Sequence, residues 1–205
     1  MVQTQTQTLG LVSPQDRLWS NFMRFSDRLS SRLREELVKR GIRVRDVFVE
    51  LENYSGDEVR YRVEIAVEIG EVMRVYYDGL YESCSIEASE MIARGEITEE
   101  EVGNYVESCV DEEVARYDEE YGRPPFELTY RKSCVEARLE TIVEDDNYAR
   151  SYTDVLRIVY RQSPYSWVFE KASDEDIEQM VEAEVNQILL ELLRLYQAVK
   201  VLYNW

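Results

Sequence analysis

The sequence contains no histidine, and that absence excludes more chemistry than any motif it carries. Ser-His and Cys-His nucleophiles and imidazole-ligated metals all require the ring. Lysine is scarce too, with four residues against twenty arginines. No lysine follows a glycine and the eight glycines form no G-x-G-x-x-G, so neither common nucleotide-binding fingerprint is present. There are three cysteines and no C-x-x-C pair. An odd number without histidine makes a poor structural zinc site and leaves at least one thiol unpaired in any monomer. No run reaches eighteen apolar residues, and the opening MVQTQTQTLG lacks the charged-then-apolar order of a secretory leader. The expectation is a protein of the cytoplasm, or of a virus particle, with no membrane partner and no cofactor.

The arginine bias and the dense charge suggest a hyperthermophile or one of its archaeal viruses. The proteome-wide thermophile signal is lysine and glutamate, so this expectation concerns habitat alone.

The cysteines stand in ESC, ESC and KSC, 25 residues apart at Cys84, Cys109 and Cys134. A solenoid of that period would give each the same local structure, yet Cys109 falls within a helical pattern and Cys134 beside a strand. The spacing therefore reads as coincidence, and the cysteines as small buried apolar residues.

What the chain has in quantity is acid, with 42 Asp and Glu against 24 Lys and Arg and a net charge of −18. The 44% apolar content and fifteen tyrosines argue against disorder. The charge is uneven. Residues 1–45 carry nine basic side chains and four acids, a balance of +5, and the remainder of the chain carries −23. Residues 82–121 hold fourteen acids against Arg94 and Arg116, a balance of −12.

Periodicity orders the elements. Ser13-Pro14 caps a helix in which Leu18, Phe22, Phe25, Leu29, Leu33 and Leu37 share one face, and Gly41 stops it. Arg17, Arg24, Arg28, Arg32 and Lys39 form a basic stripe beside that face. Val47, Val49 and Leu51, then Val59 through Ile69, alternate as two strands around the turn NYSGDE. EVMRVYYDG fits a third short strand or the start of the next helix. Helices follow at 80–94, ending at Gly95, and from a capping box at Thr98 and Glu101 to Gly122. Alternation returns over 135–143 and 155–161, and SDED caps a long helix from Asp174 to about Tyr203.

The fold class is α+β, an antiparallel sheet of β-hairpins flanked by helices in the order α-ββ-α-α-ββ-α. A polar tail at 1–12 precedes one domain at 13–205, compatible with an αββα duplication whose halves are 13–95 and 96–205.

The function expected is that of a non-enzymatic interaction or structural protein that forms homo-oligomers through its C-terminal helix. Val181, Val185, Ile188, Leu192, Leu195, Val199 and Leu202 follow a heptad seam. Leu189, Leu190, Leu193 and Tyr196 widen it beyond what one partner requires. A second reading is an acidic mimic of nucleic acid that occupies a basic protein partner. Its surface would be Glu99, Glu100, Glu101, Asp111, Glu112, Glu113, Asp118, Glu119 and Glu120. A third is a hydrolase holding Mg²⁺ or Mn²⁺ with carboxylates alone, Glu64 and Glu68 being the best-placed pair. The acid-x-Lys pair of restriction-type nucleases is missing, because Leu37, Tyr130, Phe169 and Ala198 stand two before the lysines. A fourth is a particle protein that touches nucleic acid through the basic stripe alone, since phosphate affinity comes from Lys and Arg.

Overall fold

Ser13 caps the first helix, its hydroxyl oxygen accepting the Asp16 amide at 3.1 Å. Proline at the first helical position costs nothing there, since its missing N–H would have no helical partner. The computed structural model describes residues 13–204; the tail expected at 1–12 lies outside the described residues, as does Trp205. Helix α1 (Pro14–Lys39) leads into strands β1 (Val44–Ser55) and β2 (Glu58–Tyr76), then helix α2 (Tyr77–Arg94). A 3-10 turn over Glu99–Glu101 opens α3 (Val102–Tyr121). Strands β3 (Thr129–Lys132), β4 (Val135–Asp145) and β5 (Ala149–Gln162) follow, then α4 (Ser166–Lys171) and α5 (Asp174–Leu202).

The five strands form one antiparallel sheet in the order β1-β2-β5-β4-β3. The β1–β2 hairpin closes on the two-residue loop Gly56-Asp57, with Gly56 at φ +57°, where a side chain would be strained. EVMRVYYDG resolves as the end of β2 followed by the start of α2. The two expected hairpins meet at β2 and β5, while β3 and α4 have no counterpart in the first half of the chain.

Alternation decides which sheet face carries the helices. Val59, Tyr61, Val63, Ile65, Val67 and Ile69 on β2 and Leu156, Ile158 and Tyr160 on β5 are buried beneath α1, α4 and α5. Phe22, Phe25, Tyr61 and Phe169 pack edge-on or tilted in its centre. Truncating one such side chain to Ala costs about 3–5 kcal/mol. Asn21, buried among them, donates its Nδ2 to the carbonyls of Phe169 and Ala172 at 2.7 and 3.0 Å. Those two bonds anchor the short α4, whose six residues could not hold a helix alone.

A smaller core lies farther along the same face, where α2 and α3 pack against Val75 and Tyr152. Among the described residues no helix covers the opposite face. Arg62, Glu64, Glu136, Arg138, Glu140, Arg157 and Arg161 project there by register. Ala66 and Val155 on that face are nonetheless fully buried, so the aliphatic stems of the charged residues lie over them.

Candidate interaction surfaces

The acidic segment is a helical hairpin. Gly95, at φ +72°, ends α2 in the left-handed conformation that glycine tolerates best, and its amide bonds the Ile92 carbonyl at 2.9 Å. The capping box then starts the next helix, with Glu101 Oε2 accepting the Thr98 amide and hydroxyl at 2.8 Å each. Those bonds to the ionised form hold the Glu101 carboxyl below its ordinary value. The two helices pack mainly on each other through Leu80, Cys84, Ala88, Val106 and Val110.

A disulfide joins Cys84 to Cys109 across this hairpin. The reading of the cysteines as independent apolar residues with a coincidental spacing is corrected here for these two. Cys84 lies 11 residues before Gly95 and Cys109 lies 11 after Thr98, so folding at that turn brings them level. That symmetry was visible in the sequence. Cys134, half-buried, keeps a free thiol.

Of the nine acids expected to form one surface, Glu99, Glu100, Asp111, Glu112, Glu119 and Glu120 are exposed. Glu101 is exposed but engaged in the cap, and Glu113 pairs with Arg116. Asp118 is different and is removed from the free surface. It faces the sheet and accepts from Arg150 and Tyr152, so it fastens the hairpin instead of presenting charge. Burial, then the Asp118 carboxylate, pushes the Tyr152 hydroxyl up to about 12. Ile86 and Tyr81 stand exposed among the acids of α2, and Glu82, Ile86 and Glu90 follow one another at i, i+4 spacing.

The basic stripe of α1 divides. Arg24 and Arg28 reach across to the first turns of α5, pairing with Asp174 and, for Arg28, with Glu178 at 3.4 Å. Lys39 pairs with Glu36 at 2.9 Å, and Arg40 joins them, holding the Glu36 carboxyl at about 2. Arg17 and Arg32 lie on exposed positions of the same helix.

The heptad seam of α5 faces inward. Val181, Val185, Ile188, Leu189, Leu192, Leu195 and Val199 are buried in the chain's own core. The arc is wide because α5 meets two surfaces, the sheet below and α1 beside it. Leu193 and Tyr196 are half-buried at its margin, whereas Leu190 is 71% and Leu202 61% exposed. The seam is thus an intramolecular contact, and the part of α5 open to another molecule is its outer stripe.

Glu64 and Glu68 do not converge on a shared ion. Glu64 pairs with Arg157 and Glu68 with Arg43. Among the described residues no three acids or cysteines are grouped to hold a metal, and no helix is long and apolar enough to cross a membrane.

Sequence reasoning missed Glu184. Its carboxylate takes the Tyr61 hydroxyl, while its buried Oε2 has no hydrogen-bond partner, and burial raises its pKa. The charge of Glu184 also helps raise the Tyr160 hydroxyl, after burial itself. Its heptad position, flanked by Val181 and Val185, was the available signal. Comparison with protein-family models, with curated proteins and with solved structures finds no match to this chain.

Proposed function

We propose that the protein is a non-enzymatic interaction module whose docking surface is the acidic α2–α3 hairpin and whose partner is a basic protein. The observation that carries this reading is the structural isolation of the charge. Fifteen acids share a hairpin with two arginines, and a disulfide and the Asp118 contact hold that hairpin as one unit. Acids spread over a solvated face need no partner. Acids concentrated on a cross-linked unit, around the apolar Tyr81 and Ile86, create a field that attracts cationic surfaces and an anchor to settle on.

The test compares two variants of equal net charge. One neutralises Glu99, Glu100, Asp111 and Glu112 as Gln or Asn; the other neutralises Glu35, Asp57, Glu127 and Glu182. Basic proteins retained at low salt by the wild type and the second variant, but not by the first, support the hairpin. Equal retention by both variants refutes it.

Self-association is a second reading, favoured by the exposure of Leu190 and Val201 on the outer stripe of α5. Leu190→Glu should leave the fold intact and lower the sedimenting mass. A wild-type monomer at micromolar concentration would dispose of this reading.

A further inference from the structure

The sheet face opposite α1 and α5 contains a shallow cavity of about 400 Å³, lined by Arg62, Arg131, Arg138, Arg157 and Arg161 together with Glu64 and Glu136. The chain as a whole has nearly two acids for each base, and this lining inverts the ratio. Chance scatter of charge over a solvated sheet does not favour such a cluster in so acidic a protein.

The register makes the cluster more pointed. Arg62 stands directly opposite Arg161 across β2 and β5, and Arg157 directly opposite Arg138 across β5 and β4. Like charges in directly opposed positions destabilise a sheet. Between the two arginine rows lies a row of Glu64, Val159 and Glu136, with Val159 at its middle. Arg131, on β3 opposite Glu136, closes one side.

Carboxylates offset part of this repulsion. Arg62 bonds Glu50 at 2.7 Å, Arg161 meets Glu52 at 3.2 Å and Glu136 at 3.0 Å, and Arg157 lies between Glu64 and Glu140. Arg157 is thereby saturated and its side chain is 19% exposed. Arg138 and Arg131 are not. Each makes one ion pair through Nε, to Glu140 at 3.1 Å and to Glu136 at 3.2 Å. Their side chains are 64% and 80% exposed, which leaves both terminal nitrogens of each guanidinium available.

We infer that this cavity is a phosphate site, in which the guanidinium forks of Arg131 and Arg138 grip a phosphate ester or polyphosphate over Val159, with Arg62 and Arg161 as its far wall. A tetrahedral phosphate offers oxygens toward both walls, and a guanidinium presents paired donors that match two of them. A planar carboxylate has two oxygens in one plane and can satisfy one wall. The volume sits at the lower end of small-ligand cavities, suited to a nucleotide-sized compound or smaller.

Calorimetric titration with sodium pyrophosphate, and polarisation with a labelled single-stranded oligonucleotide, separate the two sources of phosphate. Pyrophosphate should bind the wild type, and Arg131→Ala and Arg138→Ala should each weaken binding about tenfold, the loss of one charge-assisted bond. Arg116→Ala, on the hairpin, should change nothing. Both tested arginines are exposed, and an unchanged melting curve establishes that the variants fold. Absence of pyrophosphate binding, or binding indifferent to Arg131 and Arg138, overturns the inference. Oligonucleotide binding without pyrophosphate binding overturns it in favour of a nucleic-acid backbone.

Discussion

Arg150 clasps Asp118 through two parallel bonds, Nε to Oδ1 and Nη2 to Oδ2, each 2.8 Å, and so joins strand β5 to helix α3. Tyr152, two residues along the strand, adds a third bond to Oδ1 at 2.9 Å. A planar fork on a carboxylate fixes direction as well as distance, so this contact orients the acidic hairpin on the sheet. Its effect on stability is moderated by solvent, because the Asp118 side chain is 37% exposed.

Asp118→Asn should therefore lower stability by about 1–2 kcal/mol, or about 2–8 °C in melting temperature for a chain of this size. The loss should be local. Hydrogen exchange should accelerate in α3 while amides of α1 and β2 keep their protection. Uniform acceleration throughout the chain would show that the contact does not define a separate unit.

The Cys84–Cys109 bond closes a loop of about 25 residues. In the chain-entropy account such a cross-link contributes about 3 kcal/mol, part of which strain or residual structure removes. Reduction, or a Cys84→Ser and Cys109→Ser double substitution, should lower the melting temperature and loosen the hairpin. Alkylation in denaturant should label one thiol per chain, Cys134, before reduction and three after. Three labelled thiols without reduction would contradict the pairing.

Glu184 supplies a pH-dependent test. Its folded pKa is raised above the unfolded value by burial, so its contribution is most favourable below the unfolded carboxyl range and is lost as pH rises through the folded value. At neutral pH the buried charge is a net cost. Glu184→Gln keeps an acceptor for the Tyr61 hydroxyl and removes the charge. It should raise stability by about 1 kcal/mol at pH 7, about 2–4 °C, and by progressively less as pH falls toward 4. Glu36, Glu101 and Asp176 have lowered pKa values and oppose this trend in both proteins, so the difference between variant and wild type is the quantity to follow. A variant less stable at every pH would mean that the carboxylate is required in its charged form.

Much of the architecture was written in short-range pattern. The stripe from Leu18 to Leu37, the alternation from Val59 to Ile69, the caps at Ser13, Thr98 and Ser173 and the stop at Gly95 each specify an element from neighbours within a few residues. Strand β3 escaped because Thr129–Lys132 has no alternation of its own and is a strand through pairing with β4. Helix α4 escaped because it depends on Asn21, 148 residues away from Phe169 in sequence.

The sequence by itself determined which faces must be covered and where the charge would concentrate, because periodicity and composition are properties of the chain. It did not determine what does the covering. The apolar arc of α5 is the same pattern whether α1 and the sheet bury it or another molecule does, and the tertiary structure assigns it to α1 and the sheet. Asp118 reads as one acid among fourteen until Arg150 is brought beside it. The opposed arginines of β2, β5 and β4 are unremarkable along the chain, since cross-strand register alone makes them neighbours. Burial follows from local pattern, but partnership between residues distant in sequence follows from the geometry of the sheet.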